Sequence, residues 1–244
     1  MRIPRYYIDQ TLYEGETVDL PDTLHRHAIQ VLRGKVGDQL ILFNGQGGEY
    51  LATFSAVAKR ASSVQVQSFD PVDRESSLDL QLNLALIKSD KFDFALQKAV
   101  EMGVNRFQPI ITARTVINLK GNRLEKKHQH WLGIIHSACE QSGRTAIPEL
   151  LPALSLDATL AQNDQRLTLV MLPEAKATLK SMARPEQAVT LVVGPEGGFN
   201  DSEVALMHSM QVQTVRFGPR IFRAETAAIA GLTLCQSLWG DLSN

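Results

Sequence analysis

The chain has 244 residues, with 25 Lys+Arg against 26 Asp+Glu and 44% apolar residues. That allows one large domain or two smaller ones and excludes a disordered or fibrous chain. Near-neutral net charge argues against a tail-driven nucleic-acid binder, and no apolar run nears the roughly 18 residues of a membrane span. No basic-then-apolar leader opens the sequence, so a reducing cytoplasm is the expected location. A chain of this size folds without staples, so Cys139 and Cys235 need not pair.

The first seventy residues read as β. Gln39–Phe43, Tyr50–Ala58 and Val64–Phe69 are β-rich runs separated by turn signals such as Asn44-Gly45-Gln46-Gly47-Gly48. Asp70-Pro71-Val72-Asp73-Arg74-Glu75-Ser76-Ser77 has the composition of a linker, which sets expected domains at residues 1–72 and 73–244. Beyond it the period changes. Leu80–Ile87 is a predicted strand, and Ser89 or Asp90 is placed to cap a helix whose stripe is Phe92, Ala95, Leu96, Ala99 and Val100, stopped by Gly103. Arg106–Ile111 is the next strand, and Arg123–Gln141 a longer helix with Trp131, Ile134, Ile135 and Ala138 on its apolar face. Leu167–Leu172 and Val189–Val193 are continuous apolar strands of the kind buried on both faces. Asp201–Met210 is helical, Thr214–Phe217 a strand and Glu225–Trp239 the closing helix. Strands alternating with helices imply an α/β fold with a parallel sheet.

Charge is unevenly spread. Lys88 to Lys127 holds nine Lys+Arg against four Asp+Glu, whereas Arg144 to Gln213 holds five against eight. The basic sector suits a polyanion, and a solvated face explains it equally well.

Ligands of open parallel sheets bind beyond the carboxyl ends of the strands, and three strand ends here carry unusual loops. They are Pro173-Glu174-Ala175, then Gly194-Pro195-Glu196-Gly197-Gly198-Phe199 with Asn200 as a helix N-cap, then Gly218-Pro219-Arg220-Ile221-Phe222-Arg223-Ala224-Glu225-Thr226-Ala227. The Gly194 loop lacks the Lys-Ser/Thr of a P-loop and the Gly-x-Gly-x-x-Gly of a dinucleotide site. Glu196 would repel a phosphate. A neutral or cationic adenosine-type ligand such as S-adenosylmethionine fits better, although an ordinary strand-to-helix turn also accounts for the glycines.

Taken together, the Gly194–Phe199 loop and the Phe217–Ala227 stretch resemble the signature of the SPOUT methyltransferases, and within them the enzymes that methylate uridine N3 in small-subunit ribosomal RNA. Arg2–Tyr7, His27–Arg33, Phe43-Asn44-Gly45 with Gly48-Glu49-Tyr50, Gln97–Val104 and Glu140–Arg144 fit the same family. Phe217 and Phe222 stand where the family pattern has leucine. The resemblance implies an N-terminal PUA-like β-barrel that binds RNA and a C-terminal domain closed by a deep trefoil knot. It also implies a homodimer acting on the small ribosomal subunit, and S-adenosylmethionine held by Leu172, Gly194, Glu196, Gly197, Gly198, Phe217, Gly218, Ile221, Phe222 and Thr226. For Leu172, Ile221 and Phe222 plain core packing is an equal reading.

Arg223 and Glu225 are the catalytic candidates. Arg223 is suited to polarise a uracil carbonyl, and Glu225 to orient that arginine or take the N3 proton; a salt bridge pinning the loop is the competing role. Expected RNA contacts are Arg5, Arg26, Arg33, Lys88, Arg114, Lys120, Arg123, Lys126, Lys127 and Arg144. Tyr6 and Tyr7 are either stacking groups or a buried strand start. The six histidines show no metal spacing and Cys139 has no CxxC partner, so no metal is expected. A non-catalytic ribosomal RNA-binding protein would have no use for the Gly194 and Gly218 loops. A nucleotide-dependent oxidoreductase would need the missing dinucleotide fingerprint.

Overall fold

The structure, a computed structural model, describes residues 3–115, 121–162, 165–210 and 212–242. The chain divides into two compact units, Met1–Glu75 with Cys139–Ile147 and Ser76–Ala138 with Pro148–Asn244.

The first unit contains β1 (Arg5–Tyr7), β2 (Thr17–Asp19), α1 (Asp22–His25) running into a π-helical turn (Arg26–Val31), β3 (Gln39–Phe43), β4 (Glu49–Val57) and β5 (Ser62–Asp70). They form a five-stranded sheet in the order β1-β3-β4-β5-β2, antiparallel except where β1 lies parallel to β3. Ser62, Val64 and Val66 point inward along β5 while Ser63, Gln65 and Gln67 are less buried or exposed, the period-two pattern of a one-sided strand. They pack with Tyr6, Leu40, Leu42, Ala52 and Phe54 into this unit's core. The turn before β4 needs glycine: Gly48 has φ +67° and an added Cβ would lie 2.3 Å from the Phe69 ring.

Asp70–Ser77 is no loose tether. Arg74 Nη1 donates to Glu49 Oε2 at 3.1 Å and to the Gly143 carbonyl at 3.0 Å. Glu75 accepts from Arg144 Nε at 2.8 Å and from the backbone of Thr145 and Ala146 at 3.2 Å. These partners lie too far along the chain for composition to reveal them.

The second unit contains β6 (Leu80–Ala85), α2 (Ser89–Glu101), β7 (Arg106–Ile111), most of α3 (Asn122–Ser142), β8 (Glu149–Leu150), β9 (Leu154–Ser155), α4 (Leu156–Leu160), β10 (Leu167–Met171), a short 3-10 turn (Leu179–Ser181), β11 (Val189–Val193), α5 (Asp201–Ser209), β12 (Gln213–Val215) and α6 (Ala224–Trp239). Its sheet runs β12-β10-β11-β6-β7-β8, with β9 also on β7, and every pairing is parallel. Central β6 and β11 are buried along their whole length, and the polar Gln81 and Asn83 of β6 are accommodated there by a hydrogen bond from Gln81 Nε2 to Asn83 Oδ1 at 2.8 Å. Phe92 on α2 meets Phe107 edge-on at 5.5 Å and Trp131 on α3 at 4.7 Å. α6 sits directly on the sheet, because a Cβ at Gly231 would come within 2.5 Å of Leu191 Cδ2 and 3.1 Å of Met171 Sδ.

The α2 cap departs from expectation. Its N-cap is Lys88 and makes no side-chain capping bond, because the Ser89 hydroxyl instead accepts from Lys127 Nζ. Asn200 does cap α5, in a reciprocal capping box with Glu203. No described helix is long and apolar enough to cross a membrane. Cys139 and Cys235 are free and buried, and burial pushes both thiols up to about 12, which makes them packing groups and not nucleophiles.

Two carboxyls of the first unit respond to folding in opposite directions. Burial pushes Glu49 up, but hydrogen bonds and charge from Arg74 and Arg5 outweigh it and hold the group below the usual range. Burial dominates at Glu140, which stays above that range despite the hydrogen bond from Tyr7 N and the nearby His27 and Arg5. A carboxyl raised on folding opposes the folded state while ionised, and the penalty vanishes below its unfolded value. Glu140→Gln, which keeps an acceptor for Tyr7 N–H, is therefore expected to raise the thermal midpoint at neutral pH. The gain should fade below about pH 4. Thermal unfolding across that range checks it, and an unchanged or lowered midpoint at neutral pH refutes it.

Candidate active site

The order β12-β10-β11-β6 sets four parallel strands side by side, so the segments leaving their carboxyl ends emerge together. The three glycine- and proline-bearing loops follow β10, β11 and β12. They enclose a cavity of about 310 Å³.

Local chemistry fixes each wall. A Cβ at Gly194 would lie 2.9 Å from the Phe199 ring, so only glycine lets that ring fold over the end of β11. Gly198, at φ +69°, closes the turn by donating to the Pro195 carbonyl at 2.9 Å. Glu203 of the α5 capping box also accepts from Ala113 N at 2.7 Å, tying the loop after β7 to the same corner. Leu172 N donates to the Val215 carbonyl and Arg216 N to the Ala177 carbonyl, both at 3.0 Å. The end of β12 thus passes between the outgoing and returning arms of the loop after β10.

Leu172, Gly194, Glu196, Gly197, Gly198, Phe217, Gly218, Ile221 and Phe222 line this cavity. Ile221 is 85% exposed and so is no core residue, whereas buried Leu172 serves both the wall and the core beneath it. Thr226 does not line the cavity and is exposed in the first turn of α6. Sequence reading missed Arg216 and Arg220 on the wall; both lie in or beside the Phe217–Ala227 motif, which was the available signal.

Arg223 and Glu225 open onto a second cavity of about 640 Å³, lined also by Leu86, Ile87, Lys88, Lys91, Arg114, Glu196 and Gly197. Glu196 and Gly197 are common to both cavities. Glu225 is buried in the first turn of α6, where the helix dipole favours an acid. Its ion-pair partner is Lys91 Nζ at 3.8 Å, so the expected orientation of Arg223 by Glu225 is replaced by a link to α2. Arg223 is exposed at the N-cap of α6 without a side-chain capping bond. Arg114 Nη1 donates to the Gly197 carbonyl at 2.5 Å, bracing the wall between the cavities. Lys91 was invisible to sequence reading because nothing along the chain announces its approach to Glu225.

The cations expected to meet RNA separate into groups. Lys88 and Arg114 line the second cavity. Arg123 and Lys126 are exposed on α3, and Lys127 is engaged with Ser89. Arg26 and Arg33 are exposed in the first unit, Arg33 at φ +58°. Arg5 and Arg144 must be corrected. The Arg5 guanidinium is buried against Glu49 and the Cys139 and Glu140 carbonyls, and Arg144 is 4% exposed and paired with Glu75. Both cations are used inside the first unit, and Arg144 is not part of either cavity. Lys120 lies outside the described residues. Tyr6 is buried and Tyr7 half-buried beside Phe43, which fits a strand start. No group of three metal-ligating side chains forms among the described residues.

Known proteins share this architecture. An RNA methyltransferase domain matches residues 74–236 and an RNA methyltransferase PUA domain residues 20–67. A ribosomal RNA small subunit methyltransferase E of Buchnera aphidicola is 31% identical over 243 residues, covering 99% of each chain. A Legionella pneumophila protein solved in complex with the cofactor SAM is 36% identical with a TM-score of 0.96, over 99% of this chain and 100% of that one. A Neisseria gonorrhoeae ribosomal RNA small subunit methyltransferase E bound to S-adenosyl methionine is 35% identical with a TM-score of 0.92, over the same shares. The α/β unit with its parallel sheet and the preceding PUA-type unit are thus those of one enzyme group, and the chain belongs to the ribosomal RNA small subunit methyltransferase E family of RNA methyltransferases.

Proposed function

We propose that the chain methylates N3 of a uridine in small-subunit ribosomal RNA, on the assembled small subunit, with S-adenosylmethionine as donor. The observation that carries this reading is the pair of adjoining cavities. One is walled by the three strand-end loops, and the other is lined by Lys88, Lys91, Arg114 and Arg223 around Glu225.

The first cavity suits the donor chemically. Leu172, Ile221 and Phe222 offer apolar surface to an adenine, while Glu174 and Glu196 with Arg216 and Arg220 offer both signs to a zwitterion that also carries a sulfonium. The same carboxylates disfavour a polyphosphate. S-adenosylmethionine, when bound, supplies a methyl carbon whose bond to sulfur breaks, leaving its electrons on sulfur, as the N3–C bond forms. The chain's own task is the acceptor: uridine N3 holds a proton and is a poor nucleophile until it leaves. In this reading Glu225 accepts that proton, and Arg223 stabilises the charge that spreads to a flanking carbonyl oxygen.

Two further family features belong to this reading. The passage of β12 between Leu172 and Ala177 supports a threaded, knotted chain end. Phe94 on α2 and Leu234 and Leu238 on α6 are large exposed apolar side chains, which supports burial against a second copy. In the same reading the first unit binds RNA through Arg26 and Arg33.

Nucleoside analysis of ribosomal RNA from cells with and without the protein tests the function. Loss of one 3-methyluridine is expected, and an unchanged profile with RNA binding retained would favour a non-catalytic binder. Arg223→Ala is expected to slow transfer by roughly 10²–10³-fold while calorimetric donor binding persists. Equal loss of both would make Arg223 part of the donor pocket. Leu234→Glu with Leu238→Glu should give a monomer by light scattering, and a species of unchanged mass would remove that face from the interface.

A further inference from the structure

We infer that Lys91, Glu225 and Arg223 together read the imide edge of the acceptor base, with Lys91 the residue that selects uracil over cytosine; the inference rests on the uridine-N3 reading above. A uracil presents a carbonyl oxygen, an N–H and a second carbonyl oxygen in a row. The complement is a donor, an acceptor and a donor. The second cavity supplies that set from two elements, with Lys91 on α2 and Arg223 and Glu225 at the start of α6.

The geometry leaves the ammonium available. Lys91 Nζ lies 3.8 Å from Glu225 Oε1, within ion-pair range and beyond a hydrogen bond. Its protons remain free for a ligand oxygen while its charge keeps company with the buried carboxylate. Leu86 and Ile87, both 2% exposed, form the buried apolar floor of the cavity just after the end of β6. Lys88, Arg114 and Glu196 complete the charged lining. The two nearby arginine and lysine cations are suited to the phosphates either side of the base.

Cytosine fails this set twice. Its amino group sets donor against donor at one end, and its unprotonated N3 sets a lone pair against the Glu225 carboxylate. Sites built to hydrogen-bond a substrate edge reject the mismatched analogue strongly, because buried polar groups are left unpaired. In the reaction, the N3 proton passes to Glu225 as the base becomes an imide anion, and Lys91 shares the charge that builds on the neighbouring oxygen.

The test uses the full-length protein and small subunits reconstituted with ribosomal RNA carrying either uridine or 5-fluorouridine, whose N3–H is more acidic. Lys91→Met keeps the aliphatic stem and removes the charge. It is expected to slow single-turnover transfer to uridine by roughly 10- to 100-fold, with a clearly smaller loss on 5-fluorouridine and calorimetric donor binding unchanged. Lys91→Arg should restore much of the rate. An equal loss on both RNAs, a parallel loss of donor binding, or no loss overturns the assignment. Nucleoside mass spectrometry of the parental product separates the two levels: a methyl group found elsewhere than uridine N3 overturns the underlying reading as well.

Discussion

Val215 accepts from Leu172 while its neighbour Arg216 donates to Ala177, so the end of β12 is hydrogen-bonded on both sides by a single loop. Backbone groups in the interior have to be paired, and the buried Leu172 and Val215 satisfy one another, while Arg216 and Ala177 add a second bond nearer the surface. Neither the loop after β10 nor the segment after β12 can leave without orphaning its neighbour's polar groups. The donor cavity is consequently formed of mutually braced backbone, where separate flexible loops would have made it a shape only on binding. Gly194 and the Asn200–Glu203 capping box complete the brace from the β11 side.

The distribution of cations follows from where carboxylates lie. Arg5, Arg74 and Arg144 surround Glu49 and Glu75 in the first unit and are spent on holding Cys139–Ile147 to the early strands. Around Glu225 the balance is different: Lys88, Lys91, Arg114 and Arg223 share a lining with only Glu196 and Glu225. An excess of positive charge beside a buried acid is a poor structural salt bridge, since Lys88, Arg114 and Arg223 pair with no carboxylate among the described residues. It is a good receptor for an anion that forms during a reaction.

Much of the second unit was legible from its residues. The runs Val189–Val193 and Arg106–Ile111 coincide with β11 and β7, and the α2 stripe of Phe92, Ala95, Leu96, Ala99 and Val100 is buried as its spacing predicted. Periodicity reports one-dimensional patterns, and those elements owe their burial to one-dimensional patterns. It missed β2, whose three residues are too short to show a period, whereas β1 matches the strand start that Tyr6 and Tyr7 offered as one of two readings. The change of unit does fall inside the Asp70–Ser77 stretch, between Glu75 and Ser76, but the pairings that Arg74 and Glu75 make there were not legible, because charge looks the same whether solvated or paired. At the site, the loops announced themselves through glycine and proline, since backbone constraint is written locally. The Lys91–Glu225 pair, the burial of Arg5 and Arg144, and the exclusion of Thr226 depend on contacts across the fold, which no spacing rule encodes.

Gly231 has a consequence for how the two cavities relate. With no side chain at Gly231, α6 rests there directly against the Leu191 and Met171 side chains, and protein interiors compress little. Leu191 belongs to β11, which ends at Val193 just before Gly194, and α6 begins at Ala224 between Arg223 and Glu225. Elements that carry both sets of groups are therefore in direct contact at this point. In the proposed reaction the chain acts as a caliper, testing an acceptor atom by whether it spans the reach between the two cavities.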